Sequence, residues 1–209
     1  MARGVRSDGR REEIISAAAE LFGKVGYHQT SMEDIADAVG ISKPTLYHYT
    51  KSKSEIVFWI HDKIADRMVS SLEASIESGL PPHERLWHVI HETLLVMESE
   101  PGHLAVFFEH YRDLAPTEQA VAKKKRDHYY DLVVQSIRDG VDDGSLVSDD
   151  PVLTAFGLFG MTNWAYQWFR PGAGRTSAEV AEHLWGLLMR GLATDGLRKK
   201  LSKDPRQTA

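Results

Sequence analysis

Residues 27–58, YHQTSMEDIADAVGISKPTLYHYTKSKSEIVF, decide the fold of the N-terminal part of the chain. Thr30 is predicted to cap a short helix at its N-terminus. The apolar side of that helix consists of Met32, Ile35, Ala36 and Val39. Gly40 follows, where a sharp turn needs a permissive backbone, and Ser42 then caps a second short helix from Lys43 to Tyr49. Two short helices joined through a glycine turn predict a helix-turn-helix, whose second helix enters the major groove of DNA.

The second helix has few apolar residues. Leu46, with Tyr49, is the predicted anchor in the core, and Pro44 is tolerated because the first turn has spare amides. The side chains predicted to point outward are those of Lys43, Thr45, Tyr47 and His48. Hydrogen-bond donors and a flat ring on a short helix suit contacts to phosphates and base edges. The alternative interpretation is a solvated surface helix without a partner.

The segment from Ile14 to Phe58 resembles the DNA-binding domain of the TetR family of bacterial regulators. The resemblance rests on Leu21-Phe22, Gly26-Tyr27, Thr30-Ser31, Ile35-Ala36, Val39-Gly40-Ile41-Ser42, Leu46-Tyr47-His48-Tyr49 and Lys53-Ser54-Glu55-Ile56. Pro44 replaces a common glycine, which is expected to alter the bases that are read. Thr50 replaces a common phenylalanine, which is expected to loosen the packing of the following helix.

The resemblance implies DNA contacts from Thr30, Ser42, Lys43, Pro44, Thr45, Tyr47, His48 and Lys53. On physical grounds, we assign Thr30, Tyr47, His48 and Lys53 to phosphates, and Lys43, Pro44 and Thr45 to positions nearer the bases. Free amides and two ammonium groups at Lys51-Ser52-Lys53 also favour a phosphate. A helix this short contacts only about 3–4 base pairs. A homodimer on a palindromic operator in double-stranded DNA is therefore expected.

Helical spacing continues to the C-terminus, and glycine and proline residues divide it. Longer helices are predicted at about 53–78, 83–99, 103–114, 117–143, 152–169 and 177–195. Capping patterns at Thr30–Glu33, Ser52–Glu55, Thr176–Glu179 and Asp150-Pro151 mark helix starts. The predicted fold class is all-α. It comprises a three-helix helix-turn-helix domain in 1–55, a ligand-binding and dimerisation domain in 56–197 and a flexible tail in 198–209.

Composition restricts the possible functions. The chain of 209 residues has no cysteine, which excludes a disulfide framework and a thiolate metal site. Its formal net charge is −5, but residues 1–55 contain eight lysines and arginines and eight acids, so the excess acid lies beyond them. No run of about 18 apolar residues predicts a membrane span, and we expect a cytoplasmic protein without a cofactor.

Two C-terminal helices are predicted to form the dimer interface. Their apolar stripes include glycines that permit close approach between helices. The predicted interface residues are Phe156, Gly160, Leu184, Leu188 and Leu192. The alternative is that both stripes line only the core of the subunit.

Aromatic residues in the larger domain predict a site for a small-molecule effector, although such residues are more often core packing. The selected residues are Phe107, Phe108, Tyr111, Tyr130, Trp164, Trp168 and Arg170. The segment from Asn163 to Gly172, NWAYQWFRPG, resembles the ending of TetR-type regulators of fatty-acid and sterol breakdown. That resemblance implies an acyl-coenzyme A thioester as effector, with Arg170 on a phosphate. The alternative is an efflux or catabolic regulator that responds to an apolar aromatic or lipophilic ligand.

Other classes of function are less well supported. His88 and His91 lie three residues apart but lack the order of a zinc hydrolase and a third ligand, so no metal site is expected. The run from Lys123 to Arg126 is predicted to be a solvated face of helix 117–143, and the alternative is a surface that steers an anionic ligand. No nucleophile-base spacing or phosphate loop predicts an enzyme, and no catalytic residue is assigned. A protein-binding adaptor is a further alternative, which the salt dependence of DNA binding would distinguish.

Overall fold

The computed structural model describes residues 2–203, with side chains described from residue 9. The described residues form helices and no strand, which confirms the all-α prediction, and one isolated bridge pairs Leu146 with Ala193. The helices are α1 Ala2–Val25, α2 Met32–Val39, α3 Lys43–Leu46, α4 Lys53–Glu77, α5 Pro82–Ser99, α6 His103–Glu109, α7 Pro116–Asp142, α8 Pro151–Asn163, α9 Ala165–Trp168, α10 Ser177–Leu192 and α11 Asp195–Leu201. A 3-10 turn, Tyr111–Asp113, follows α6.

The chain divides into two compact units, and each consists of two separate stretches. Unit 1 comprises Met1–Asp66 and Ser99–Lys125, and unit 2 comprises Arg67–Glu98 and Arg126–Ala209. The predicted boundary after residue 55 therefore differs from the compact units. Unit 1 also contains the first part of α4, all of α6 and the start of α7.

The core of unit 1 explains why its first helices fold together. Ile14, Ala18 and Phe22 of α1 are buried, together with Ile35 of α2 and Leu46 of α3. Gly40 ends α2 in the left-handed conformation with φ 70°, and its N–H bonds back to the last turn of the helix. The glycine turn that the sequence predicts is thus present, and Leu46 is the anchor of α3.

Two predicted helix starts differ from the structure. The N-cap of α2 is Ser31 and not Thr30, and Ser31 forms a full capping box with Asp34. The hydroxyl of Thr30 instead donates to the Gly26 carbonyl at 2.8 Å. At α4, Ser52 accepts from the Glu55 amide, but the Glu55 carboxylate accepts from the Lys51 amide, so only half of the predicted box forms. The caps predicted at Asp150 and Thr176 form as expected.

Other predicted helix bounds also differ. The second helix of the helix-turn-helix ends at Leu46 and continues as a turn, so it is shorter than predicted. The helix predicted at 152–169 is interrupted at Trp164, whose N–H no longer follows the α-helical pattern. Part of the predicted flexible tail, 198–201, belongs to α11, which Thr194 caps. The end of that tail, 204–209, lies outside the described residues.

The start of α6 lies directly against the backbone of α1. Gly102, at φ 82°, precedes α6, and a Cβ added there would lie 2.3 Å from the Ala19 carbonyl oxygen. A Cβ added at Gly23 would lie 3.3 Å from the Cα of Gly102. Glycine at 102 is therefore needed both for its backbone conformation and for the close approach.

Unit 2 is held together by polar bonds between helices as well as by its apolar core. Arg85 of α5 pairs with Asp139 of α7 at 2.7 Å. The indole of Trp185 on α10 donates to the His83 carbonyl at 2.8 Å. Buried apolar residues come from α5, α7, α8, α10 and α11 and include Leu86, Ile90, Leu94, Ile137, Leu158, Val180 and Leu197. Within the described part of the chain, no helix is long and apolar enough to cross a membrane.

A buried histidine in unit 1 predicts loss of stability in mild acid. Burial lowers the pKa of His103, although Glu100 lies 3.5 Å away. The unfolded chain therefore binds more protons below about pH 6.5, and the free energy of unfolding falls as pH decreases through that value. We expect His103→Gln to reduce this loss between about pH 7.5 and 5.5. Thermal unfolding at a series of pH values measures this loss of stability. The same pH dependence in His103→Gln and in the wild type would contradict the prediction. Burial also lowers the pKa of His91, so we expect part of the pH dependence to remain in this variant.

Candidate nucleic-acid interface and effector region

Helix α3 presents a polar surface to solvent. Ser42, Lys43, Pro44, Tyr47 and His48 are exposed, and Thr45 is half-buried. Tyr47 retains 48% of its accessible surface although Leu46 beside it is fully buried. A large exposed ring next to the single anchor of a short helix is available for an external partner.

Capping at its first residues stabilises α3. The Ser42 side chain accepts from the Thr45 amide at 3.3 Å, and the two hydroxyls lie 2.7 Å apart. Lys43 lies 3.4 Å from the Glu33 carboxylate of α2, and both side chains are exposed. An exposed pair of this kind contributes little stability, so Lys43 can exchange Glu33 for a phosphate or a base at small cost.

Two of the predicted DNA contacts, Thr30 and Lys53, bond to carbonyls in the loop between α1 and α2. Thr30 is 2% exposed, and its hydroxyl is bonded to the Gly26 carbonyl. The ammonium of Lys53 donates to the carbonyls of Tyr27 at 2.6 Å and Thr30 at 2.7 Å. The structure thus brings Ser42, Lys43, Pro44, Thr45, Tyr47 and His48 together around α3. It places Thr30 in the core and Lys53 against the loop between α1 and α2.

Ser31 is an exposed hydroxyl that was not among the residues predicted from the sequence. It lies at the N-terminus of α2, where its side chain accepts from the Asp34 amide. The pattern Ser-x-x-Asp was present beside Thr-x-x-Glu, and both satisfy the same capping rule. The two candidate N-caps are distinguished only by the burial of Thr30, which the sequence pattern does not show.

Three of the predicted effector residues lie in unit 1. The ring of Phe107 lies 4.7 Å from the ring of His61 and 5.4 Å from that of Phe108. The hydroxyl of Tyr111 donates to the Gln119 carbonyl at 3.0 Å. All three side chains are half-buried, and these contacts lie within unit 1.

The other four predicted effector residues lie in unit 2. The ring of Tyr130 lies 5.2 Å from that of Phe156. Trp164 and Trp168 are 63% and 49% exposed, so their indoles are not enclosed in a cavity of this unit. The guanidinium of Arg170 donates to the carbonyls at the end of α9, the shortest bond being 2.9 Å to Gln167. Arg170, which follows α9, thus caps the C-terminal end of that helix, and its side chain is exposed.

The predicted dimer residues lie on α8 and α10. Phe156 is 58% exposed, and nothing lies within 4 Å of a Cβ built at Gly160. Leu184, Leu188 and Leu192 are half-buried. Leu153 on α8 and Leu187 on α10, 64% and 43% exposed, extend the same apolar surface. An exposed apolar surface on two adjacent helices is typical of a subunit interface.

Unit 2 contains an open groove that the sequence did not predict. Its volume is about 620 Å³, and Trp87, Trp185, Glu84, Glu182 and Lys200 contribute to its lining. None of the predicted effector residues lines it. Among side chains that the structure describes, no group of three histidines or acids is arranged to hold a metal ion.

Two segments of the chain match two family descriptions. Residues 14–58 match "Bacterial regulatory proteins, tetR family", and residues 79–192 match "Tetracyclin repressor-like, C-terminal domain". The HTH-type transcriptional repressor KstR2 of Rhodococcus jostii (strain RHA1) is 30% identical over 188 residues, which is 89% of this chain and 92% of the relative.

Solved structures give the same result. PfmR, a TetR family transcriptional regulator from Thermus thermophilus, superposes with a TM-score of 0.79 at 30% identity, over 85% of this chain and 97% of that one. AibR, solved in complex with isovaleryl coenzyme A and operator DNA, superposes with a TM-score of 0.75 at 25% identity, over 85% and 97%. KstR2 is named as a transcriptional repressor and PfmR as a transcriptional regulator. The chain belongs to the TetR family of DNA-binding transcriptional regulators.

Proposed function

We propose that the protein is a ligand-responsive repressor that binds a palindromic operator in the cytoplasm and leaves it when a small-molecule effector binds. The observation that carries this proposal is the exposed polar surface of α3 on a chain of this family. The curated relative KstR2 bears the name of a repressor, which supports the sign of regulation. The effector can shift the DNA-bound population only through its different affinity for the two states.

Selection of duplexes from a random pool tests the DNA-binding part. We expect recovered sites to be inverted repeats with half-sites about one helical turn apart. Affinity for the recovered site should fall steeply with added salt, because cations on the protein release counterions from phosphates. A protein that retains no duplex in dilute buffer, or one whose affinity is indifferent to salt, would contradict the proposal and favour a protein-binding adaptor.

The proposed dimer interface consists of the exposed apolar surface of α8 with the adjoining face of α10. We expect Phe156→Glu to convert the dimer to a monomer, because a charge cannot be buried there without a partner. The subunit should stay folded, since Phe156 is 58% exposed within it. Sedimentation velocity measures the change. Val121→Glu, at an exposed position on α7, is the control that should remain dimeric.

We propose an acyl-coenzyme A thioester as the effector. Support comes from the resemblance of segment 163–172 and from AibR, whose structure contains isovaleryl coenzyme A and operator DNA. The proposal does not depend on Arg170, which caps α9. Mass spectrometry of small molecules that co-purify identifies the effector. Release of the selected duplex by acyl-CoA, but not by the free acid or by coenzyme A, would support the thioester; release by the free acid alone would favour a lipophilic ligand.

A further inference from the structure

Tyr27, in the loop between α1 and α2, lies at the centre of a cluster in unit 1. Its ring lies 5.1 Å from Phe22 and 4.8 Å from His110, which follows α6. The ammonium of Lys53 lies 4.6 Å from the centre of the same ring. Burial raises the pKa of Tyr27, so its hydroxyl stays neutral at physiological pH. The ring is thus a neutral surface on which a histidine and a cation both pack.

The position of the Lys53 ammonium is set by this loop. It donates to the carbonyl oxygens of Tyr27 and Thr30 at 2.6 and 2.7 Å. An ammonium has three N–H donors, so one donor of Lys53 is left for a further acceptor after these bonds. Lys53 is also the first residue of α4. The loop carbonyls therefore decide where that remaining donor points.

His110 and the 3-10 turn hold the loop from the other side. The Nδ1 atom of His110 lies 2.8 Å from the Asp113 carboxylate, which orients the imidazole against Tyr27. The hydroxyl of Ser54, in the first turn of α4, donates to the Asp113 carbonyl at 2.9 Å. One short segment, 110–113, thus contacts both the Tyr27 ring and the start of α4. All these residues belong to unit 1.

We propose that His110 is a positioning residue for DNA binding: it fixes the Tyr27 loop and, through that loop, directs Lys53 to a DNA phosphate. The proposal rests on the proposed DNA-binding function. His110 itself does not touch DNA. Without the His110 ring, Tyr27 loses a packing surface and the loop gains conformations. The Lys53 ammonium must then be ordered when DNA binds, which costs affinity.

A double-mutant cycle with Lys53 tests the proposal on the full-length protein and its selected duplex. We expect His110→Ala to weaken binding on the order of tenfold and to lower the salt-dependence slope toward that of Lys53→Ala, which loses about one phosphate contact. The double variant should bind no more weakly than Lys53→Ala. His110→Phe, which keeps a flat ring on Tyr27 but loses the bond to Asp113, should recover part of the affinity that His110→Ala loses. His128→Ala, which removes an exposed histidine that pairs with Glu73, is the control without effect.

The results of the cycle decide whether His110 positions Lys53. Additive losses in the double variant, or an unchanged affinity and slope for His110→Ala, would overturn the positioning role. If His110→Ala does not fold, as circular dichroism shows, Ser54→Ala removes the bond from α4 instead. That variant should show the same coupling to Lys53, and independence from Lys53 would overturn the proposal. If the wild-type protein binds no duplex, the proposed DNA-binding function is wrong. That result differs from one in which the wild type binds and the double-mutant cycle shows no coupling between His110 and Lys53.

Discussion

Alanine at both Lys43 and Tyr47 is expected to lower affinity for the selected operator by at least about a hundredfold, because two contacts each worth about 1–3 kcal/mol are lost from each subunit. Both side chains are exposed, and the observed partner of Lys43 is the exposed Glu33. Their removal should therefore change the free energy of unfolding by less than about 0.5 kcal/mol. Binding is measured by fluorescence anisotropy, and stability by thermal unfolding.

The matched control for this double variant replaces a lysine and an aromatic ring elsewhere on the surface. Lys124→Ala with His128→Ala, both exposed on α7, should leave operator affinity unchanged. The single variants separate the roles of the two residues. Loss at Lys43 should relax the preference for particular bases if it contacts base edges, whereas loss at Tyr47 should weaken all duplexes alike if it contacts phosphates. Wild-type affinity in the double variant would contradict α3 as the DNA-contacting element.

Gly102→Ala is expected to be strongly destabilising, by about 3 kcal/mol or more, because two separate penalties combine. The backbone at φ 82° disfavours any residue with a Cβ, and the Cβ would lie 2.3 Å from the Ala19 carbonyl oxygen. For a chain of this size the midpoint of thermal unfolding should fall by about 6–12 °C. The overlap involves backbone on both sides, so no side-chain rotation relieves it.

Gly40→Ala separates the two penalties. Gly40 also has positive φ, at 70°, but nothing lies within 4 Å of a Cβ built there. This variant should lose only the conformational part, about 1–2 kcal/mol. Thermal unfolding of both variants is the measurement. Equal losses at the two positions would show that α6 moves away from α1 without cost, and would contradict the close approach as a source of stability.

Local features of the fold were predictable from the sequence. Gly40, Ser42, Asp150 and Thr176 each act on the backbone within three or four residues, and each forms the turn or cap expected of it. Thr30 and Ser31 show the limit of such rules. Both are hydroxyls with an acid three residues ahead, and the choice depends on which side chain is buried by the rest of unit 1.

Features that depend on distant parts of the chain were not predictable in this way. The contact of Gly102 with Ala19 joins residues far apart in sequence, and neither residue type indicates the other. The aromatic residues of segment 163–172 were predicted to contribute to an effector site, but the burial of each ring depends on neighbours that local spacing does not specify. Trp164 is exposed, and Arg170 bonds to carbonyls at the C-terminal end of α9, which the helix itself leaves unpaired.

The discontinuous make-up of unit 1 has a consequence for protein engineering. A chimaeric regulator that takes only residues 1–58 from this chain would leave behind the segment that covers Ala19 and Tyr27. The transplanted helices would then expose backbone and aromatic surface that α6 and residues 110–113 cover here. A graft that includes residues 99–125 together with the first 66 residues would retain these contacts. New sensor domains should therefore be joined after residues 66, 98 and 125.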